Sequence, residues 1–214
     1  MDDLETWLER VYDAGGDHQA LESAYDEWAA DYDRQLWASG NPYIAVAAGF
    51  AGRLITDFDA RILDAGCGTG NMAQILRYMG YTRIDGLEPS AGMRKVAANK
   101  GLYDNLYPHY LDTRVDLPDA SYDAVVAAGV LTHGHAPPAA LDGILQLLRD
   151  DGVVVFSLSK IAHEEMGFRE KIEQLEASGR WQKAGQSELF RTYPFSEQEA
   201  HLRHWVMAFR KSGG

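Results

Sequence analysis

The chain has 214 residues, 46% hydrophobic and 24% charged, which is long enough to bury a substantial core as one α/β domain. This composition excludes disorder, collagen-like repeats and coiled coils. The longest apolar stretches fall well short of the roughly 18 residues that a membrane span needs, and a single cysteine excludes an intrachain disulfide. Because the acidic start lacks the basic segment of a signal peptide, we expect a soluble, cytoplasmic protein with no membrane partner.

The net charge of −12 is concentrated near the amino end. Residues 1–60 carry thirteen acidic and three basic side chains, whereas the remaining 154 residues carry 19 and 17. A protein that binds the phosphate backbone of a nucleic acid carries patches of positive charge, so the acidic charge argues against a nucleic-acid partner. Such an acidic segment is typical of a solubilising helical face, and it favours neutral or cationic small molecules over polyanions as ligands.

The amino-terminal part of the chain is predicted to be helical, and from residue 61 strands and helices alternate. Helices are predicted over 3–13, 18–37, 42–56, 71–79, 91–100, 137–150 and about 162–178. Strands are predicted over 61–65, 83–88, near 105–111, 122–128, 152–158, roughly 187–192 and 204–210. The alternation is typical of a parallel sheet covered by helices on both faces, here with seven strands and an antiparallel last strand. We expect one domain over 1–214, made of a helical cap (1–58), a ligand-binding core (59–160) and a carboxyl-terminal helix with edge strands (161–214).

A glycine-rich turn between a strand and a helix is the most informative segment. Its glycines are Gly66, Gly68 and Gly70, and Asp64 lies two residues before the first of them. Such a turn brings backbone N–H groups close to a ligand, and side chains there would block the approach or forbid positive φ. Glu88 lies 18 residues beyond Gly70, at the end of the next predicted strand. A carboxylate there can accept hydrogen bonds from both hydroxyls of an adenosine ribose.

Two ligands compete for this turn. A dinucleotide is favoured by Gly-x-Gly-x-x-Gly, but Asn71 occupies the position of the third glycine, and Asp64 would repel a pyrophosphate. S-adenosylmethionine carries an ammonium and a sulfonium but no phosphate, so these residues favour it. An NAD(P)-dependent oxidoreductase and a non-catalytic domain that binds this cofactor or a partner stay open as alternatives.

Four segments resemble the motifs of a known enzyme family. Asp64-Ala-Gly-Cys-Gly-Thr-Gly70 resembles the first motif of class I S-adenosylmethionine-dependent methyltransferases, and 87–93 resembles the second. Residues 111–113 and 117–126 are similar to the third and fourth. The resemblance covers roughly 20–160 and implies a Rossmann-like, doubly wound fold and methyl transfer from S-adenosylmethionine to a small-molecule acceptor, with S-adenosylhomocysteine as product. A looser resemblance to the Williams–Beuren syndrome region methyltransferase-like branch is carried by 25–33, 129–137, 179–181 and 209–211.

The family resemblance implies roles for residues around the turn. Asp64 would lie near the amino group of the cofactor, and Glu88 would hold its ribose. The turn from Gly66 to Gly70, in which Cys67 is a passive small side chain, would face the methionine part. Gly129, after the fourth strand, would line the same side. The plain alternatives are a turn-capping role for Asp64 and a solvated strand end for Glu88.

The adenine end of the cofactor is assigned from the same resemblance. Pro89 and Met93 would pack against the adenine ring, whereas Asp112 and the backbone of Thr113 would meet its exocyclic amine. The plain alternatives are a core position for Met93 and a turn-forming role for Asp112.

Tyr25, Trp28 and Tyr32 fall at helical spacing, so we expect them to share one helix face. Such a stripe is typical of a core. The resemblance implies a lid that closes over the cofactor, with tyrosine hydroxyls that reach its carboxylate.

Methyl transfer is an in-line displacement, which chiefly requires that the acceptor be positioned. Some members of such families add a general base; His133 is the first candidate and His135 the second, and the alternative is a pair of exposed loop histidines. Their spacing could ligate a metal, but no Cys or carboxylate cluster supports it, so we expect no metal site. We expect acceptor specificity to reside in the cap and in 159–200, which includes His163, Trp181 and Tyr193.

Overall fold

The computed structural model describes residues 3–213, and the expected domain limits at residues 1 and 214 lie outside them. Its helices are α1 (Leu4–Asp13), α2 (His18–Trp28), α3 (Tyr32–Ala38), α4 (Tyr43–Leu54), α5 (Asn71–Tyr78), α6 (Ala91–Lys100), α7 (Ala140–Leu147), α8 (Lys160–Glu165) and α9 (Phe168–Ala177). Its strands are β1 (Arg61–Ala65), β2 (Arg83–Leu87), β3 (Asn105–Tyr107), β4 (Tyr122–Leu131), β5 (Leu148–Ser159), β6 (Trp181–Gln186), β7 (Phe190–Arg191) and β8 (Arg203–Lys211). Within the described range, no helix is both long and apolar enough to cross a bilayer.

The strands form one sheet in the order β3-β2-β1-β4-β5-β8-β6, with the short β7 beside β8. Strands β1 to β5 pair in parallel, and β8 is antiparallel to its neighbours β5, β6 and β7. The predicted mostly parallel α/β sheet with an antiparallel last strand is confirmed, and β6, which was not predicted, is one strand more than the seven expected. Because Ala65 lies opposite Leu87 in the parallel register, the turn after β1 and Glu88 after β2 leave the sheet side by side.

Helices cover both faces of the sheet because side chains alternate along the central strands. Val153 and Val155 of β5 pack in a core with α1, α2, α4 and α5, whereas Val154 and Phe156 pack in a second core with α7 and α9. Four helices, α1, α2, α6 and α8, are each preceded by a capping residue whose side chain accepts a backbone N–H bond. These residues are Asp3, Asp17, Ser90 and Ser159. Helices α1 to α4 therefore share one core with the sheet face that they cover.

Four predicted elements need correction. The single helix predicted over 18–37 is two, because the chain turns at 29–31 before α3 begins. The helix predicted over 162–178 breaks at Gly167, whose φ of +84° ends α8. The strand predicted near 105–111 ends at Tyr107. The strand predicted near 187–192 is reduced to the two-residue β7, and the longer edge strand beside β8 is β6, which was not predicted.

Candidate functional site

The glycine turn, residues 66–70, is held against β2 by backbone hydrogen bonds. The N–H groups of Gly66 and Cys67 both donate to the carbonyl of Leu87, at 2.7 and 3.0 Å. Gly66, Gly68 and Gly70 have φ of +72°, +53° and +92°. A Cβ on Gly66 would lie 2.2 Å from Cγ2 of Val130, whereas one on Gly68 would meet nothing within 4 Å. Glycine is therefore required by packing at position 66 and by conformation at all three positions.

Two buried carboxylates flank this turn. Oε2 of Glu88 accepts the N–H of Gly68 at 3.0 Å, and Oε1 accepts the N–H of Ser90 at 2.9 Å. Asp64, 1% exposed, accepts the hydroxyl of Tyr103 at 2.7 Å. Burial raises the pKa of Asp64 and of Glu88 to about 7 each, although their hydrogen bonds act in the opposite direction. A positive charge placed beside either carboxylate would restore its ionised form.

A cavity opens in front of the glycine turn; we call it the turn cavity. The residues singled out from the sequence that line it are Tyr25, Tyr32, Gly66, Gly68, Glu88, Pro89, Met93, Asp112, Gly129 and His135. Asp64 and Cys67 line a smaller hollow beside the turn. Gly70 packs against Tyr103 instead, and Thr113 donates its N–H to Asp112 at 2.6 Å.

The charges around the turn cavity are of one sign. Glu22, Glu88 and Asp112 line it, and none of its described lining residues is a lysine or arginine. His18 and Tyr110, which the sequence reasoning missed, close one end with rings stacked 4.0 Å apart. The Tyr110 hydroxyl also donates to Glu22, which ties α2 to the segment after β3.

Two aspartates that the sequence reasoning missed tie α2 and α3 to the sheet. Asp26 accepts the N–H of Gly92 at 2.7 Å. A Cβ at Gly92 would lie 2.7 Å from the Cα of Asp26, so the first turn of α6 lies directly against the α2 backbone. Asp33 accepts the amide of Asn71 and the ammonium of Lys100, each at 2.7 Å. Their sequence signal was their position inside the aromatic segment 25–33. The helices over the turn cavity are thus anchored on both sides of it.

A second cavity meets the first across four shared lining residues: Tyr25, Tyr32, Gly129 and His135. We call these the dividing wall. Tyr25, Trp28 and Tyr32 do not share one helix, because Tyr32 begins α3, but Trp28 still contacts both rings at centroid distances of 6.0 and 4.8 Å. Gly129 has a φ of +82°, and a Cβ there would lie 2.7 Å from the hydroxyl oxygen of Tyr43. Glycine at position 129 is therefore favoured both by its conformation and by the close approach of Tyr43.

The two histidine candidates occupy different places. His133 lines only the second cavity, whereas His135 lies in the dividing wall. Nδ1 of His135 lies 2.8 Å from the carbonyl of His133, which can only accept, so Nδ1 carries a proton. Burial lowers the pKa of His135, so its Nε2 is an acceptor and the hydroxyl of Tyr25 donates to it at 2.7 Å. Both ring nitrogens of His135 are thus occupied.

The second cavity, the tyrosine cavity, has a volume of about 360 Å³. Its polar aromatic lining consists of Tyr12, Tyr25, Tyr32, Tyr43, Tyr193, His133, His135, His201 and His204. Of the three expected specificity residues, only Tyr193 lines it. Trp181 is 1% exposed and stacks on Phe209 at 4.1 Å, so it belongs to the core, and His163 packs against Trp205 at 5.3 Å. Across residues 3–213, no group of three or more His, Cys, Asp or Glu side chains is arranged to hold a metal ion.

An open α/β sheet with a cavity at the carboxyl ends of its parallel strands defines the structural class of this protein. A family described as "Methyltransferase domain" matches residues 25–209, and the chain belongs to this family of methyltransferases.

Several known proteins to which the chain is similar are named as methyltransferases. It is 30% identical over 173 residues to methyltransferase-like protein 27 of Homo sapiens, a match that spans 74% of this chain and 66% of that protein. It is 33% identical over 164 residues to an uncharacterized methyltransferase of Geobacillus kaustophilus, and this match spans 72% of this chain and 74% of that protein. Among solved structures, the 1,6-didemethyltoxoflavin-N1-methyltransferase of Burkholderia thailandensis aligns with a TM-score of 0.65 at 20% identity, over 94% of this chain and 91% of that one. This structural likeness establishes a shared Rossmann-like fold.

Proposed function

We propose that the protein is a class I enzyme that transfers a methyl group from S-adenosylmethionine to a small-molecule acceptor. One observation carries this proposal: the turn cavity presents carboxylates and a glycine turn but no lysine or arginine among its described lining residues. A ligand with an ammonium and a sulfonium complements this lining. A dinucleotide would place its pyrophosphate beside Asp64 and Glu88 with no cation to offset the repulsion.

The methionine and ribose parts of the cofactor fit the residues around the turn. Asp64 would lie near the ammonium, the carboxylate of Glu88 would accept the ribose hydroxyls, and Gly68, where a Cβ would meet nothing within 4 Å, leaves open space beside the turn. The fit rests on two buried carboxylates whose pKa burial raises to about 7, because a cation would remove that electrostatic cost. When bound, the cofactor supplies an electrophilic methyl carbon.

The adenine would lie toward α6 and the segment after β3. Pro89 and Met93 offer apolar contacts there, and Asp112 offers an acceptor for the exocyclic amine, next to the backbone of Thr113. Tyr110, stacked on His18, closes this end against water.

The side chains of the protein then position the acceptor and take up its proton. Tyr25 and Tyr32 line both cavities, so an acceptor in the tyrosine cavity would meet the methyl group where the two cavities join beside these side chains. His133 is the proposed general base, because it lines the tyrosine cavity whereas both ring nitrogens of His135 are engaged. The segments 25–33 and 129–137 that support membership of the Williams–Beuren branch meet at this wall.

A turnover experiment tests the proposal. Purified protein is incubated with S-adenosylmethionine and a panel of oxygen, nitrogen and sulfur acceptors, and S-adenosylhomocysteine is quantified by mass spectrometry. We expect acceptor-dependent product with the wild type and a loss of about tenfold or more with Glu88→Gln at limiting cofactor. Cofactor binding without turnover on any acceptor would identify a non-catalytic binding domain instead.

A further inference from the structure

The chemistry of the tyrosine cavity indicates which acceptor it takes. This inference rests on the proposed methyl transfer, since the acceptor must lie on the far side of the dividing wall from the glycine turn. The cavity volume of about 360 Å³ is near the lower end of the range for small-molecule sites, which suits one ring with a short side chain.

The hydroxyl of Tyr25 in the dividing wall already uses its proton, because it donates to Nε2 of His135 at 2.7 Å. A tyrosine that donates to a neighbour keeps its oxygen lone pairs and its ring face for a ligand. The wall therefore presents acceptors and π-electron density to the cavity, which suits a ligand with N–H groups or a positive charge.

The charged side chains around the tyrosine cavity also favour a positively charged ligand. Glu165 lines its mouth, and none of its described lining residues is a lysine or arginine. Behind the lining, Glu199 is 5% exposed, and its Oε2 has no hydrogen-bond partner among residues 3–213. Burial, and after it the charge of Glu199, raises the pKa of Tyr12, which places this carboxylate within electrostatic reach of the lining. His204 is buried in the lining, and burial lowers its pKa to about 4, so it adds no positive charge at neutral pH.

We infer that the methyl acceptor is the nitrogen of a small amine, held by the tyrosine oxygens and ring faces of the dividing wall and by the Glu165 carboxylate. The bound ammonium first gives one proton to His133 or water. The neutral amine nitrogen then forms a bond to the methyl carbon while the carbon–sulfur bond breaks, and the electron pair of that bond stays on sulfur. The product is an N-methylammonium, whose positive charge is stabilised by the aromatic faces and carboxylates.

The test uses three probes that share one ring and differ in charge: 2-phenylethylamine, 2-phenylethanol and phenylacetate. Each is titrated by calorimetry into the full chain saturated with S-adenosylhomocysteine. We expect the amine to bind about tenfold more tightly than the alcohol, and phenylacetate to bind most weakly. Incubation of the amine with S-adenosylmethionine should give an N-methylated product by mass spectrometry.

A charge reversal at the cavity mouth sharpens the test. Glu165→Lys should weaken amine binding about threefold or more, strengthen phenylacetate binding, and leave S-adenosylhomocysteine binding unchanged. The matched control is Glu176→Lys, an exposed position on α9 that lines neither cavity, which should change none of the three. The inference is overturned if phenylacetate or the alcohol binds as tightly as the amine, or if no probe binds while S-adenosylhomocysteine does. Loss of S-adenosylhomocysteine binding by the wild type would instead overturn the proposed function, and the inference with it.

Discussion

The two cavities that meet at the dividing wall are built in different ways. The turn cavity depends on backbone geometry at the ends of β1 and β2, where Gly66 and Gly68 adopt positive φ and Glu88 binds the turn through its carboxylate. The tyrosine cavity is assembled from side chains of α1 to α4 and of segments as distant as Tyr193 and His204. Changes in the first cavity should therefore weaken cofactor binding, whereas changes in the second should alter the preference for the acceptor.

The largest effect is expected at the glycine turn. In Gly66→Ala the new methyl group would lie 2.2 Å from Cγ2 of Val130 at a φ of +72°, so strain and overpacking add. We expect a loss of about 2 kcal/mol or more in the free energy of unfolding, measured by urea denaturation. Gly68→Ala is the control, because it has open space and should lose only about 1 kcal/mol. Equal losses in the two variants would contradict the packing argument.

The next effect is expected where α3 is anchored to the turn. Asp33→Ala removes the acceptor for Asn71 and Lys100, so we expect a loss of about 1–3 kcal/mol in stability and weaker cofactor binding. The measurements are thermal denaturation and calorimetric titration. Asp31→Ala, whose partner is the exposed Arg34, should cost about 0.5 kcal/mol or less. If Asp33→Ala leaves affinity unchanged, the anchored helices do not support the turn cavity.

Cofactor binding should depend on pH through the two buried carboxylates. Their pKa of about 7 lies above the usual values of 3.8 and 4.5, so between about pH 4.5 and 7 the folded protein binds more protons than the unfolded chain. The stability contribution of these groups therefore falls as pH rises through that window. A cationic cofactor prefers the ionised carboxylates, so its affinity should rise about tenfold from pH 6 to pH 8 for one such group.

Calorimetry checks this pH dependence directly. Titrations at pH 6.5 in two buffers of different ionisation enthalpy should show proton release on binding of S-adenosylmethionine. In Glu88→Gln the release should shrink, because only Asp64 still titrates. An affinity that is constant or falls between pH 6 and 8 would show that the carboxylates do not face the cationic groups.

The smallest effect is expected in the dividing wall. Tyr25→Phe removes the hydroxyl that donates to His135 and leaves its Nε2 without that partner, at a cost of about 1 kcal/mol in stability. We expect the KM for the acceptor to rise more than the Kd for S-adenosylhomocysteine. Tyr78→Phe on the surface of α5, 81% exposed, is the control and should change neither. A larger loss of cofactor affinity than of acceptor affinity would assign Tyr25 to the turn cavity alone.

The contrast between the cavities also explains what sequence reasoning could predict. The glycine turn and Glu88 are local signals, since a strand, a turn and a strand end fix their neighbours within a few residues, and the parallel sheet follows from the alternation of elements. The contacts of Asp26 and Asp33 could not be predicted, because their partners lie far away along the chain and acidic residues in such a segment are usually exposed to solvent. Trp181 was misassigned to specificity because a buried aromatic and a ligand-contacting aromatic look alike in sequence. The separation of His133 from His135 depends on a hydrogen bond that no spacing encodes.

The central claim is that the turn cavity holds a phosphate-free, cationic adenosyl cofactor gripped by Glu88. Calorimetric titration of the wild type and of Glu88→Ala with S-adenosylmethionine, S-adenosylhomocysteine and NAD tests it most directly. We predict micromolar binding of both adenosyl ligands, no binding of NAD, and a loss of about tenfold or more in the variant, which corresponds to roughly 1.4 kcal/mol. Binding of NAD in preference to the adenosyl ligands, or undiminished adenosyl binding in the variant, would contradict it.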